Sequence, residues 1–153
     1  MAALNHCKKV WTTFLSAGGF DMQALSGLKL VSASKGSILC ELQVEKQHLN
    51  HQGGCHGGLL STIVDVGGSL AIAAEDMHAT GVSTDLNISF ISGAKIGDKL
   101  SINSRCDKIG GTLAYTSVEI NVGDKVVALG RHTKFVRLAH KQNAKRNQDA
   151  AAE

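Results

Sequence analysis

Hydrophobic residues follow three kinds of pattern along the chain, and each predicts a different element. Residues 3–16 place Leu4, Val10, Trp11, Phe14 and Leu15 at mixed three- and four-residue spacings, which predicts a short amphipathic helix ending near Gly18-Gly19. From Leu28 to Val44 the pattern alternates instead. Leu28, Leu30, Ile38, Cys40, Leu42 and Val44 share one parity around the turn Ser34-Lys35-Gly36-Ser37, as in a β-hairpin. After a polar loop, residues 47–55, comes a run from His56 to about Asp76 with apolar residues on every face. A helix apolar all round must be enclosed by protein.

Alternation returns at residue 82. Strands are expected over Val82–Ile91, Lys99–Asp107, Thr112–Asn121 and Lys125–Leu138, separated by Gly93 and Gly97, by Gly110-Gly111 and by Gly123-Asp124. Short glycine-bearing turns predict antiparallel neighbours and hence a meander. The order helix, hairpin, enclosed helix, four strands defines an α+β chain. It reads as an N-terminal helical segment (1–20), one domain (21–138) whose antiparallel sheet curls around a central helix, and a polar tail (139–153) with no apolar stripe, expected to be frayed.

Composition narrows the class. The chain has 153 residues, 43% of them hydrophobic, enough for one soluble domain and short for two. Sixteen Lys and Arg against thirteen Asp and Glu leave a net charge of +3, and no basic block is interleaved with aromatics. That excess is too small for a nucleic-acid binder and suits one small anionic ligand. The longest apolar run, Leu59 to Ala74, is shorter than the roughly 20 residues of a membrane span and carries Asp65, so no transmembrane helix is expected. Cys7, Cys40, Cys55 and Cys106 form no C-x-x-C pair and are expected as free thiols of a reducing compartment, the cytoplasm. The first twenty residues, with Lys8, Lys9 and no acid, also fit a mitochondrial presequence, whereas no secretory apolar region follows them.

Two features carry candidate chemistry. The stretch Asn50-His51-Gln52-Gly53-Gly54-Cys55-His56-Gly57-Gly58 opens directly into the enclosed helix. Bare N–H groups at a helix start bind an oxyanion or carbonyl oxygen, and glycine lets it approach; a flexible loop ending in packing glycines is the competing reading. Asp65, the second feature, interrupts Leu59, Leu60, Ile63, Val64, Val66, Leu70 and Ile72. A carboxylate in such a helix is partnered, neutralised or functional, and no Lys or Arg between Lys46 and Lys95 offers a local ion pair. Eight positions separate Gly57 from Asp65, about 12 Å along the axis, and His56 and Asp65 lie about 180° apart around it. Two such features meet at one reacting atom only if a second copy contributes one of them across a two-fold axis.

Other chemistries find less support. His48, His51 and His56 with Cys55 match no zinc spacing, and Ser83 is not in G-x-S-x-G. The glycine pattern is that of neither a dinucleotide nor a nucleoside triphosphate loop.

The combination of His56-Gly57-Gly58-Leu59 and Asp65 with Gly81-Val82-Ser83-Thr84-Asp85-Leu86-Asn87-Ile88 and Gly130-Arg131-His132-Thr133-Lys134 resembles the hotdog-fold acyl-coenzyme A thioesterases, over about residues 10–137. The resemblance implies a long helix wrapped by a curved antiparallel sheet, homodimers with sites between subunits, and pairing of dimers into tetramers. It implies hydrolysis of fatty or aryl acyl-coenzyme A, with coenzyme A as part of the substrate and no further cofactor or metal. Asp65 would be general base or nucleophile, and the Gly57 N–H would polarise the thioester carbonyl. Asn50 and His56 would stand beside that carbonyl, and Ser83 would help place water. Gly58 would line the substrate site, and Lys95, Lys99, Lys108, Arg131, His132, Lys134 and Arg137 would be candidates for the phosphates, on the rim of the sheet. Alternatives are a hotdog dehydratase or hydratase, whose G-D-x-N-P-x-H motif is missing from this proline-free chain, and an acyl-coenzyme A-binding protein without turnover. Gly67-Gly68, within the central helix, suggest close contact with a neighbour or a widened pocket.

Overall fold

The computed structural model describes residues 1–152, with side chains through residue 150. Helix α1 (Ala2–Ser16) buries Cys7, Val10 and Trp11, a one-sided stripe, with Phe14 edge-on to Trp11 at 6.1 Å between ring centroids. A six-residue helix, α2 (Phe20–Leu25), follows; it is too short to show a period in the sequence, and only Leu25 of it is fully covered. Strands β1 (Lys29–Ser34) and β2 (Ser37–Gln43) form the expected hairpin. The central helix α3 (Gly57–Ala73) is buried along nearly its whole length, as its all-round apolar surface requires.

Four more strands, β3 (Val82–Phe90), β4 (Lys99–Ile109), β5 (Leu113–Val122) and β6 (Lys125–Phe135), complete one antiparallel sheet in the order β1-β2-β4-β5-β6-β3. The expected four-strand meander is therefore corrected: β4-β5-β6 is a meander, but β3 pairs with β6 at the far edge and not with β4. Between β3 and β4 the chain makes a crossing rather than a hairpin turn. Ser92 donates to the Val127 carbonyl and Cys55 to that of Ala94, so this connection is tied both to β6 and to the loop preceding α3.

Alternate residues of the sheet face α3, among them Leu100 and Ile102 of β4, Ala114, Thr116 and Val118 of β5, and Gly130, His132 and Lys134 of β6. Three glycines let helix and sheet approach. A Cβ on Gly67 would lie 2.5 Å from Ser104 Oγ, one on Gly68 2.5 Å from Thr116 Oγ1, and one on Gly130 2.5 Å from Val64 Cγ1. The neighbour that Gly67-Gly68 contact so closely is thus the sheet.

The polar tail is a second correction. Residues Arg137–Ala152 form helix α4, and β6 ends at Phe135 rather than Leu138. Its anchor is polar: Asn143 Oδ1 accepts the N–H groups of His78 and Ala79, while Nδ2 donates to the Ala79 and Ala139 carbonyls. With Ala139 buried and His140 Nε2 2.9 Å from the Gly110 carbonyl, one turn docks the helix without an apolar stripe. All four cysteines are free, and burial pushes the Cys40 thiol up to about 12. No helix among the described residues is long and apolar enough to cross a membrane.

Gly68→Ala is expected to lower stability by about 2 kcal/mol through overpacking, against a helix-propensity gain of about 1 kcal/mol. Gly111→Ala, in open space, is expected to stay within about 0.5 kcal/mol of the parent. Urea unfolding of both variants is the check, and a stabilised Gly68→Ala would contradict the close helix–sheet contact.

Candidate active site

Helix α3 starts where it does because His56 caps it. Its backbone is extended (φ −68°, ψ 131°), its Nδ1 accepts the Gly58 N–H at 2.7 Å, and its carbonyl accepts those of Leu59 and Leu60. The Gly57 N–H has no partner among the described residues, so one donor at the positive end of the helix stays open. The loop before it is built on Asn50, whose Oδ1 accepts the N–H groups of Gln52 and Gly54 while its backbone closes onto Gly53 and Gly54. Asn50, His56, Gly57 and Gly58 are therefore held together at one helix end. A mostly apolar cavity of about 330 Å³ adjoins them, lined by Phe20, Ala24, Leu49 and Leu59 beside His56 and Gly58.

Asp65 lies midway along α3 and is not enclosed: its side chain is 46% exposed. As expected, no Lys or Arg along the helix pairs with it; its partners arrive from two strands. Ser83 Oγ of β3 donates to Asp65 Oδ1 at 3.3 Å, and His132 Nε2 of β6 lies 2.8 Å from Ser83 Oγ and 3.4 Å from Asp65 Oδ1. A β-bulge makes this possible. Leu86, Ile88 and Phe90 pair with His132, Gly130 and Ala128 of the helix-facing row, so plain alternation would turn Thr84 inward. The register shifts between Ser83 and Asp85, pairing Ser83 with Lys134 and placing it on the helix-facing side.

The electrostatics assign the protons. His132 is 1% exposed and its Nδ1 is buried without a partner among the described residues. Burial holds its pKa below the usual histidine value, against the raising influence of the Asp65 charge. The neutral ring with hydrogen on Nε2 satisfies this environment: Nε2–H donates to Ser83 Oγ, and Ser83 O–H donates to Asp65 Oδ1. Asp65 Oδ2 has no hydrogen-bond partner among the described residues, on a side chain that is half exposed. Beyond this chain lies Lys134, 5% exposed, whose Nζ donates to Ser69 Oγ at 2.5 Å; Ser69 Oγ donates in turn to the Asp65 backbone carbonyl.

The candidate phosphate-binding cations do not form one rim. His132 and Lys134 are buried against α3, a correction that follows from their parity in β6. Arg131, one residue out of phase, is exposed on the outer face of the sheet. Lys95 is exposed in the connection before β4 and Lys108 near the far end of that strand, and Lys99 pairs with Glu41 at 3.0 Å. Arg137 opens α4. Only Lys95 adjoins the Asn50–Gly57 loop, through its bridge to Gly54. Ser69 and Asp21 belong to the electrostatic surroundings of Asp65 and carry no sequence signal beyond their residue types. No group of three or more His, Cys, Asp or Glu side chains among the described residues is arranged to hold a metal.

Residues 52–137 match the model of the thioesterase superfamily, and the chain belongs to that family of thioester hydrolases. Acyl-coenzyme A thioesterase 13 of Homo sapiens is 42% identical over 131 residues, spanning 84% of this chain and 93% of that one. The crystal structure of zebra fish thioesterase superfamily member 2 superposes with a TM-score of 0.79 at 40% identity, covering 86% and 96% of the two chains. A Streptococcus mutans protein solved with bound acetyl-coenzyme A superposes at 0.66 with 29% identity, over 71% of this chain and 86% of that one. The fold shared with the thioesterase structures is the hotdog, so the expected class of architecture is the one found.

A histidine kept neutral by burial makes stability depend on pH. The unfolded chain takes up a proton on His132 near pH 6.5 and the folded chain resists it, so stability falls as pH drops below about 6.5 until the lower folded value is passed. Urea unfolding at pH 7.5 and 5.5 should show a smaller acid-side loss for His132→Gln than for the parent. An equal loss would contradict a neutral His132.

Proposed function

We propose that the protein hydrolyses acyl-coenzyme A thioesters at sites completed by a second copy of the chain, with Asp65 of one copy facing the Gly57 amide of the other. The observation that carries this reading is the half-exposed Asp65 carboxylate, oriented by the Ser83–His132 pair, on the same helix as an unpartnered Gly57 N–H it cannot meet. The free edge of β3 supports the second copy: Val82, Leu86 and Phe90 are all exposed there beside unpaired strand backbone. The substrate class is supported by the acetyl-coenzyme A in the Streptococcus mutans protein and by the name of the human relative.

The parts suit thioester hydrolysis. Water held by Asp65 Oδ2 attacks the carbonyl carbon as the carboxylate takes its proton. The developing oxyanion accepts the Gly57 N–H, in a position where a single donor typically contributes about 10² to 10³ in rate. Asn50 Nδ2 stands in the same loop as a further donor. Collapse of the tetrahedral intermediate breaks the carbon–sulfur bond, releasing coenzyme A thiolate and the carboxylic acid. Nucleophilic attack by Asp65 itself would use the same geometry and pass through an anhydride. The apolar cavity beside α2 is the place for the acyl group, and Lys95 is the cation best placed for a phosphate. The free thiols support a reducing compartment, cytoplasm or mitochondrion, for this reaction.

Asp65→Asn, confirmed to be folded, is expected to release thiol from acyl-coenzyme A at least about 10²-fold more slowly than the parent. A panel of chain lengths followed with a thiol reagent is the assay. Turnover within a few-fold of the parent would remove Asp65 from the mechanism.

A further inference from the structure

His48 has no part in the reaction just described. It ends a short 3-10 turn (Lys46–His48) ahead of the Asn50 loop and is only 5% exposed. Its backbone N–H donates to the Glu45 carbonyl, its carbonyl accepts the His56 N–H at 2.8 Å, and its ring Nδ1 accepts the Glu45 N–H at 3.0 Å. A ring nitrogen that accepts carries no hydrogen, so the ring hydrogen is on Nε2. That Nε2–H has no partner among the described residues, and it is not sealed into the core as Ser104 Oγ and His132 Nδ1 are. His48 lines the cavity of about 330 Å³ beside α2, so the donor is available to whatever fills that cavity. His56 lines it too, from the exposed helix end, with its Nδ1 likewise committed to a backbone N–H. No Lys, Arg, Asp or Glu is among the lining residues.

We infer that His48 determines specificity: its Nε2–H selects acyl groups that carry a neutral oxygen, a hydroxyl or a carbonyl, over plain alkyl groups of the same length. This rests on the reading of the cavity beside α2 as the place of the acyl group. An alkyl chain lying against His48 displaces water from Nε2–H and offers no acceptor in return, and a buried donor left unpaired is costly. A hydroxyl or keto oxygen replaces that water and keeps the rest of the chain against Phe20, Ala24, Leu49 and Leu59. A wall that is apolar apart from a few fixed polar groups discriminates in this way, because the substrate without the matching atom strands the donor. An acyl group ending in a carboxylate is disfavoured, since its charge would be desolvated against one neutral donor with no cation in the wall. The turn makes His48 a rigid reader. With Nδ1, N–H and carbonyl all bonded within the protein, the ring cannot turn over to offer an acceptor instead.

The test compares kcat/KM of the full-length assembly for octanoyl-coenzyme A with that for a series of hydroxyoctanoyl-coenzyme A thioesters differing in which carbon carries the hydroxyl. In the parent, at least one hydroxy substrate should exceed octanoyl about tenfold, the order expected when a buried donor gains its acceptor. His48→Phe keeps a ring and removes the donor, and it should abolish that preference. A parent without preference overturns the inference. So does a preference that persists in His48→Phe, which would assign it to another donor or leave His48 the role of holding the turn, with all substrates slowed alike. Should His48→Phe fail to fold, His48→Asn decides: its Oδ1 keeps an acceptor near the Glu45 N–H while the shorter side chain withdraws the donor. Preference lost supports the inference and preference kept overturns it. An octanedioyl thioester turned over faster than every hydroxy substrate would also overturn it. Failure of the underlying reading is distinct, since Ala24→Phe, which narrows the cavity, would then leave the chain-length profile unmoved whatever the hydroxy substrates show.

Discussion

A single helix carries both chemical features of this chain and cannot bring them together. Gly57 and Asp65 are eight residues apart, about 12 Å along the axis, and an α-helix does not bend enough to close that gap. Everything else follows from meeting this constraint. The open amide belongs at a helix start, the carboxylate belongs where the sheet can orient it, and a two-fold related copy is the economical way to face one with the other. The exposed apolar edge of β3 is consistent with that role.

The carboxylate is useful only because the sheet comes close. Gly67, Gly68 and Gly130 remove the side chains that would hold α3 off β4, β5 and β6, and His132 then reaches beneath Asp65 through Ser83. The same closeness buries Lys134 and leaves His132 Nδ1 and Ser104 Oγ without partners. Unsatisfied buried polar groups cost stability, and here both lie against the glycines of α3, Ser104 Oγ beside Gly67 and His132 Nδ1 beside Gly68. Packing, proton placement and charge in this region form one arrangement, and a methyl group on Gly68 disturbs all three.

Much of this was legible in the sequence, for reasons that particular residues make clear. The all-round apolar run from Leu59 to Ala74 could only be an enclosed helix, and the parity of Ile38, Cys40, Leu42 and Val44 could only be a half-buried strand. The position of β3 was not legible, because glycines at 93 and 97 look alike in a hairpin and in a crossing loop. The docking of α4 depends on Asn143 and Ala139, whose residue types carry no periodic signal. At the site, Asp65, Gly57 and Ser83 stood out by motif. The placement of His132 and Lys134 depended on strand parity, and the inward turn of Ser83 on a one-residue bulge that no local pattern reveals.

The composite site can be tested by crossing two inactive variants. Asp65→Asn removes the carboxylate. Gly57→Pro removes the amide at a first-turn position that tolerates proline, after a residue already extended at ψ 131°. In a purified heterodimer of one Asp65→Asn and one Gly57→Pro chain, one of the two sites joins an intact carboxylate to an intact amide. Such a heterodimer should recover about half the parent activity while each homodimer stays inactive. A heterodimer as inactive as its parents would place both groups of each site in one chain and contradict the account.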